Sequence, residues 1–318
     1  MMNRDVIIRA VKQISVQAPL SEDWMTSPLR YDGQDLAVSV DPDFRKWISP
    51  MQARRMGRLL KRAAAVSSEA LSEAGIAVPD AVIAATGLGC IANTEAFLNE
   101  LCEGEELLKP TYFMQSTHNT VAASLAVRLG CHGYNTTYSH GSISFESALY
   151  DAFLQLRSGR TGTALAGGFD EITPSYLVLL RKLGFVREGG PVCSEAAVAF
   201  ALAASEGDEG GLCRLSSVRL LHRPELPELR EEAARILDSG AVDGVVAEPE
   251  PLVGELFPGL PAVGYKDIFG ECYTVPALGV YAAVSWLVSG KFSRGVLFFN
   301  HTAEGDCSFI LLERLCGK

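Results

Sequence analysis

A serine at the start of a helix is one residue in this sequence whose type and place could serve chemistry. Ser142 stands in His-Gly-Ser-Ile-Ser, directly before the helix-like run Ser144–Arg157. The first N–H groups of a helix are unpaired and its N-terminus is partly positive, so an oxyanion formed there is stabilised. A serine hydroxyl is nucleophilic at neutral pH only beside a positioned base. His140 is two residues away, yet adjacent residues on a strand-to-helix elbow often point apart. Ser142 or Ser144 also suits the ordinary role of helix cap.

Other chemistries have less to stand on. The eight cysteines are scattered, with no CxxC pair and no Cys/His ligand spacing, so a structural zinc is not expected. His118, His132 and His222 have no ligand spacing with one another. TGLGC is a lone glycine turn and weak ground for a phosphate site. No flavin, nucleotide or metal cofactor is expected.

The chain has 318 residues and a net charge of −10. That charge argues against a nucleic-acid partner, which needs a basic surface. One local basic run exists, with Arg54, Arg55, Arg58, Lys61 and Arg62. It fits either a solvated helix face or a patch for an acidic partner. No N-terminal apolar stretch has signal-peptide length, and the runs near Ala196–Ala204 and Ala277–Val288 are too short to span a bilayer. The expectation is a cytoplasmic protein without a membrane span.

The elements that must position Ser142 alternate between helix and strand, which predicts an α/β fold. Met51–Ala74 reads as one long helix stopped by Gly75, and Ala81–Thr86 as a buried strand entering the glycine turn. Thr120–Leu129 is a helix, Asn135–Ser139 a strand, and Ser144–Arg157 a helix closed near Gly159. Thr163–Ala166 and Ala196–Ala203 are strands. Helix Glu231–Leu237, strand Val242–Ala247, a helix from Pro276 to Val288, and strands Val296–Phe299 and Cys307–Leu312 follow, the last two joined by the turn Asn300–Asp306.

The second series repeats the first. SALYDAFLQLRSGRTGTALAGG matches ALGVYAAVSWLVSGKFSRGVLFF, with Gly159 on Gly290 and Tyr150 on Tyr281. EALSEAGIAVPDAVIAA matches AARILDSGAVDGVVAE in the same order. Two ordered matches favour duplication over chance. The polar, glycine-rich Ser205–Gly211 is the expected linker, dividing an N-terminal half (1–205) from a shortened C-terminal half (206–318).

These local motifs resemble those of the β-ketoacyl synthases. RRMGRLLKRAAAVSSEALSEAG resembles the family's early Arg-Met helix, and TGLGC its turn after the first strand. RLGCHGYNTTYSHGSISFESAL resembles the stretch around its nucleophile, LRSGRTGTALAGGFDE its Ala-Gly-Gly segment, and SEAAVAFALAAS the strand closing its first half. The resemblance implies a thiolase-like fold: a duplicated αβαβα layered α/β architecture, two pseudo-symmetric halves with mixed sheets. It is strong from about Phe44 to Ser205 and weaker beyond.

The resemblance also implies a site, and this chain departs from it at each position. Ser142 stands where the family has its nucleophilic cysteine. Glu248, in GVVAEPEP, stands at the first catalytic histidine, and Glu271, in YKDIFGECYTVP, at the second. A carboxylate cannot donate a hydrogen bond unless protonated, and an ionised one repels an oxyanion. The family's Gly-Phe-Gly-Gly loop is replaced by Asn-His-Thr-Ala-Glu-Gly-Asp, which puts His301 beside the old pocket. The implied protein is a degenerate subunit resembling chain-length factors and aryl-polyene-type members, which share the Ser-Phe-Glu-x-Ala-Leu helix seen at Ser144–Leu149. Expected partners are an active ketosynthase in a heterodimer, or a second copy in a homodimer, together with an acyl carrier protein whose phosphopantetheine arm could touch the pocket. The alternatives are a serine acyltransferase or thioesterase using Ser142, and a non-catalytic carrier-binding scaffold.

Overall fold

The computed structural model describes residues 4–104, 108–186, 189–205 and 210–315. Its strands are β1 (Asp5–Ile14), β2 (Ala81–Ala85), β3 (Tyr134–Tyr138), β4 (Thr163–Asp170), β5 (Ala196–Ser205), β6 (Cys213–Leu221), β7 (Gly244–Val246), β8 (Ala262–Val263), β9 (Gly295–His301) and β10 (Cys307–Glu313). They lie in the order β3-β2-β4-β5-β1-β6-β10-β9-β7-β8. Exchanging β1–β5 for β6–β10 maps this order onto itself. The pairing types follow: β2 is parallel to β3 and β4, as β7 is to β8 and β9. β5 is antiparallel to β1 and β4, as β10 is to β6 and β9.

The expected mixed sheets are therefore two five-stranded halves of one sheet. Their seam is narrow: among the described residues, β1 and β6 pair at Ile7↔Arg214 and Ile8↔Cys213. Both sequence repeats land on symmetry-related units. Helix Ser144–Arg157 leads into β4 and helix Val275–Val288 into β9, while helices Arg58–Ala74 and Leu226–Asp238 lead into β2 and β7.

Period-2 alternation builds the layers. Ile83, Val246, Val296, Phe298 and Ile310 face a central core with Phe145, Leu149, Leu278 and Val284 from the two long helices. Val82 and Ala84 turn outward to helix Arg58–Ala74, and Val245, Leu297 and Phe309 to helix Leu226–Asp238. Every residue from Val275 to Leu287 is buried, as an all-round apolar helix between two sheet halves requires.

Three expectations need correction. Met51–Ala74 is not one helix: a single turn at Pro50–Ala53 precedes helix Arg58–Ala74. The Gln115 side chain breaks it, accepting from the Gly57 amide and donating to the Arg55 carbonyl in place of helix bonds. The basic run is smaller than it reads. Arg62 is fully buried and pairs with Asp41 and Glu195, and Arg58 also pairs with Glu195. Arg54 and Arg55 remain exposed, as does much of the Arg58 side chain. The turn after β9 is shorter, since the strand runs on to His301. Of the linker Ser205–Gly211, residues 206–209 lie outside the described residues, as does Cys316. Among the described residues no helix is long and apolar enough to cross a membrane.

Candidate functional site

The Ser142 elbow is a 3-10 turn, Gly141–Ile143, between β3 and helix Ser144–Arg157. Gly141 takes φ +57 to make the bend, a left-handed conformation that favours glycine. Ser144 locks it: its buried Oγ accepts from the His140 amide at 2.8 Å and donates to the Gly141 carbonyl at 2.7 Å. Ser144 thus ties the elbow to its own preceding backbone, neither serine caps the helix, and the Ser142 hydroxyl is left to the cavity. His140 turns away, its Nδ1 lying 3.1 Å from Ser147 Oγ.

One cavity of about 700 Å³ collects the four residues singled out in the sequence: Ser142, Glu248, Glu271 and His301. Its remaining wall comes from the β9–β10 turn, the Lys266–Phe269 turn, the start of helix Val275–Val288, and the segment around Phe185 and Pro191. Phe185 and Tyr273 stack at 4.4 Å on its apolar side. Tyr273 in turn covers Gly87, where an added Cβ would lie 2.2 Å from the Tyr273 Cβ.

The two carboxylates that stand at the second-half positions are committed elsewhere, while Ser142 and His301 have only long contacts. Ser142 Oγ has Glu304 Oε1 at 3.5 Å, too far for a strong hydrogen bond. Glu248 Oε1 accepts from the amides of Tyr265 and Lys266, both at 2.9 Å, and so caps the Lys266–Phe269 turn. Glu271 Oε2 holds Lys266 Nζ at 2.6 Å. Burial pushes the Glu271 carboxyl above the usual carboxylate range; Lys266 draws it back, while Glu248 and Glu304 push it further. His301 Nδ1 is 4.0 Å from Glu250 Oε2.

Two buried acids escaped the sequence reading as site residues. Glu146 is fully buried one helical turn beyond Ser142, and burial pushes its carboxyl up to about 7. A lone acid on the apolar face of SFESAL was the available signal. Asp170 closes the glycine turn: its carboxylate accepts from the Gly87 and Leu88 amides and from Thr86 Oγ1. The Gly87 and Leu88 amides are thus held by a carboxylate, not turned to a phosphate. Among the described residues no group of three or more His, Cys, Asp or Glu could hold a metal ion.

A serine at a helix-start elbow, facing two second-half positions across one cavity in a duplicated sheet, is the geometry that the sequence motifs foreshadow. The family model for the β-ketoacyl synthase N-terminal domain matches residues 24–235. The chain belongs to the β-ketoacyl synthase family. No curated protein matches it at a significant level. Three solved structures share the fold of this β-ketoacyl synthase family member. One is a chain from the complex of a type II polyketide synthase acyl-carrier protein with its ketosynthase bound to the hexaketide, with TM-score 0.82, 13% identity, and coverage of 99% of this chain and 100% of that one. The ishigamide ketosynthase/chain length factor gives TM-score 0.80 at 17% identity over 98% and 99%. A β-ketoacyl synthase from Burkholderia phymatum STM815 gives 0.78 at 14% over 98% and 100%.

Proposed function

We propose that this chain is a catalytically degenerate β-ketoacyl-synthase-like subunit, working as the chain-length-factor-like partner of an active ketosynthase in a fatty-acid or polyene-type pathway. The observation that carries this reading is the commitment of the cavity's groups. Among the described residues Ser142 has no base within strong hydrogen-bond reach, Glu248 caps a turn, and Glu271 is ion-paired. A condensing centre needs a thiolate and hydrogen-bond donors aimed at a developing oxyanion. Here the two second-half positions carry acceptors.

The surface supports a partner. β3 ends the sheet, and among the described residues it pairs only with β2. An unpaired edge strand is a ready template for another chain. Beside it, the groove between helices Arg58–Ala74 and Thr120–Leu129 carries exposed Met114 and Val127, with exposed Phe113 adjoining on the same short helix as Met114. One structure of similar fold is that of a ketosynthase/chain length factor, and another contains an acyl carrier protein. A carrier protein is the second partner in this reading, with exposed Arg54 and Arg55 as its cationic contacts. The subunit needs no cofactor of its own; the carrier's phosphopantetheine arm would deliver the acyl group.

The rival reading is a serine acyltransferase or thioesterase. Intact mass after incubation with octanoyl-CoA separates the two. The partner reading expects an unmodified chain. An added octanoyl group that is lost in Ser142→Ala would overturn it.

A further inference from the structure

Glu146 joins the Ser142-bearing helix to the β9–β10 hairpin at a cross-strand pair. Asn300 and Ser308 face each other across those strands. Both donate to Glu146 Oε1, Asn300 Nδ2 at 2.8 Å and Ser308 Oγ at 3.3 Å. At its tip the same hairpin reaches Ser142 through Glu304. Asn300, His301, Thr302, Ala303 and Gly305 line the cavity. Glu146 is therefore a side-chain tie at the base of one cavity wall, added to the pairing of β9 with β7 and β10 with β6 and to the His222–Asp306 and Arg223–Glu304 contacts near the tip.

That carboxyl is only half satisfied. Glu146 Oε2 is buried and has no hydrogen-bond partner, and neither has the buried hydroxyl of Tyr265. Lys266 is the charged group whose field favours ionised Glu146, and it is already engaged by Glu271. The Tyr265 phenol feels Glu146, Glu248 and Glu271 together. Strands β9 and β10 offer only the neutral amide and hydroxyl of Asn300 and Ser308. The first turn of helix Val275–Val288 is Val-Pro-Ala-Leu and has no ionisable group.

We infer that Glu146 is a proton-linked latch on the β9–β10 hairpin: neutral, it holds the hairpin against the Ser142 elbow, and ionised, it releases it and opens the cavity. The two Oε1 hydrogen bonds by themselves favour the ionised form, but burial outweighs them, because a neutral acid leaves only an uncharged O–H in the dry site at Oε2. An ionised one has a bare charged oxygen, and buried charge is tolerated only when paired or solvated. Withdrawal of the hairpin admits water to Oε2, or lets Lys266 leave Glu271 for Glu146. Burial pushes the carboxyl up to about 7, which sets the switch near neutral pH. The latch acts on the wall itself and does not depend on which reaction or partner the cavity serves.

Hydrogen exchange of the full chain tests it, with rates corrected for the intrinsic pH dependence. In the wild type, protection across residues 300–308 falls about tenfold between pH 6 and pH 8, one pKa unit of coupling. In Glu146→Gln the amide oxygen still accepts from Asn300 and Ser308 while no charge forms, so protection stays high and flat. An equal fall in both proteins, or a flat wild-type profile, overturns the latch. If Glu146→Gln fails to fold, 13C-carboxyl titration of glutamate-labelled wild type decides instead. A carboxyl titrating near neutrality in step with hairpin amide shifts is expected, and the absence of such a group refutes the inference.

Discussion

Lys266 Nζ lies 2.6 Å from Glu271 Oε2, at a cavity position where the family resemblance places a histidine. The pair neutralises itself and removes the cavity's lysine from any role as a free donor. Restoring one missing group should therefore not restore condensation. In Ser142→Cys, a thiol is predicted with no condensing activity on acyl and malonyl thioesters, because Glu248 and Glu271 keep their present partners. Product above background from that single variant would contradict the committed-cavity argument.

Breaking the pair should cost stability. Both side chains are largely buried, so Glu271→Ala leaves an ammonium without its counter-charge. The expected loss is about 1–3 kcal/mol, below the full penalty of a wholly buried pair. Urea unfolding would measure it. A midpoint equal to the wild type would show that Lys266 finds water or Glu146 at no cost.

The two elbow serines should differ. Ser144→Ala removes a buried hydroxyl with two backbone partners and should cost about 1–2 kcal/mol. Ser142→Ala removes one with a 3.5 Å contact and should stay within about 0.5 kcal/mol. The reverse order in denaturant midpoints would contradict the assignment of Ser144 as the serine that ties the elbow.

Glu146 makes a distinct contribution to stability against pH. Its folded value of about 7 lies above its ordinary 4.5. The folded state therefore binds the proton more tightly, and this stabilisation is complete below about pH 4.5. It is lost as pH rises towards 7, by on the order of 2–3 kcal/mol. Glu146→Gln should remove that fall from a series of melting temperatures, leaving the remaining pH dependence unchanged.

Much of this fold was legible because its signals are local and repeated. The helix ends at Gly75 and Gly130, both left-handed in the structure, and the apolar runs of β2, β5 and β9 could be read residue by residue. β1 was missed: DVIIRAVKQI is interrupted by Arg9 and Lys12, whose neighbours nevertheless face core on both sides. β6 was missed for a similar reason, its arginines and serines masking the alternation. The gathering of Ser142, Glu248, Glu271 and His301 into one cavity was anticipated from the family resemblance. What each carboxylate binds was not, because a capping contact to Tyr265 and an ion pair to Lys266 depend on tertiary register. The break before Arg58 likewise depends on Gln115, 58 residues away from the amide it holds.

The central claim is that this chain serves a ketosynthase without catalysing condensation. It is tested most directly by product formation in a reconstituted pair, comparing wild type with Ser142→Ala beside the same active ketosynthase and an acyl carrier protein. Equal yield and equal chain length in the two are predicted, with no product when either subunit is omitted. Loss of product in Ser142→Ala, or turnover by this chain alone, would contradict the account.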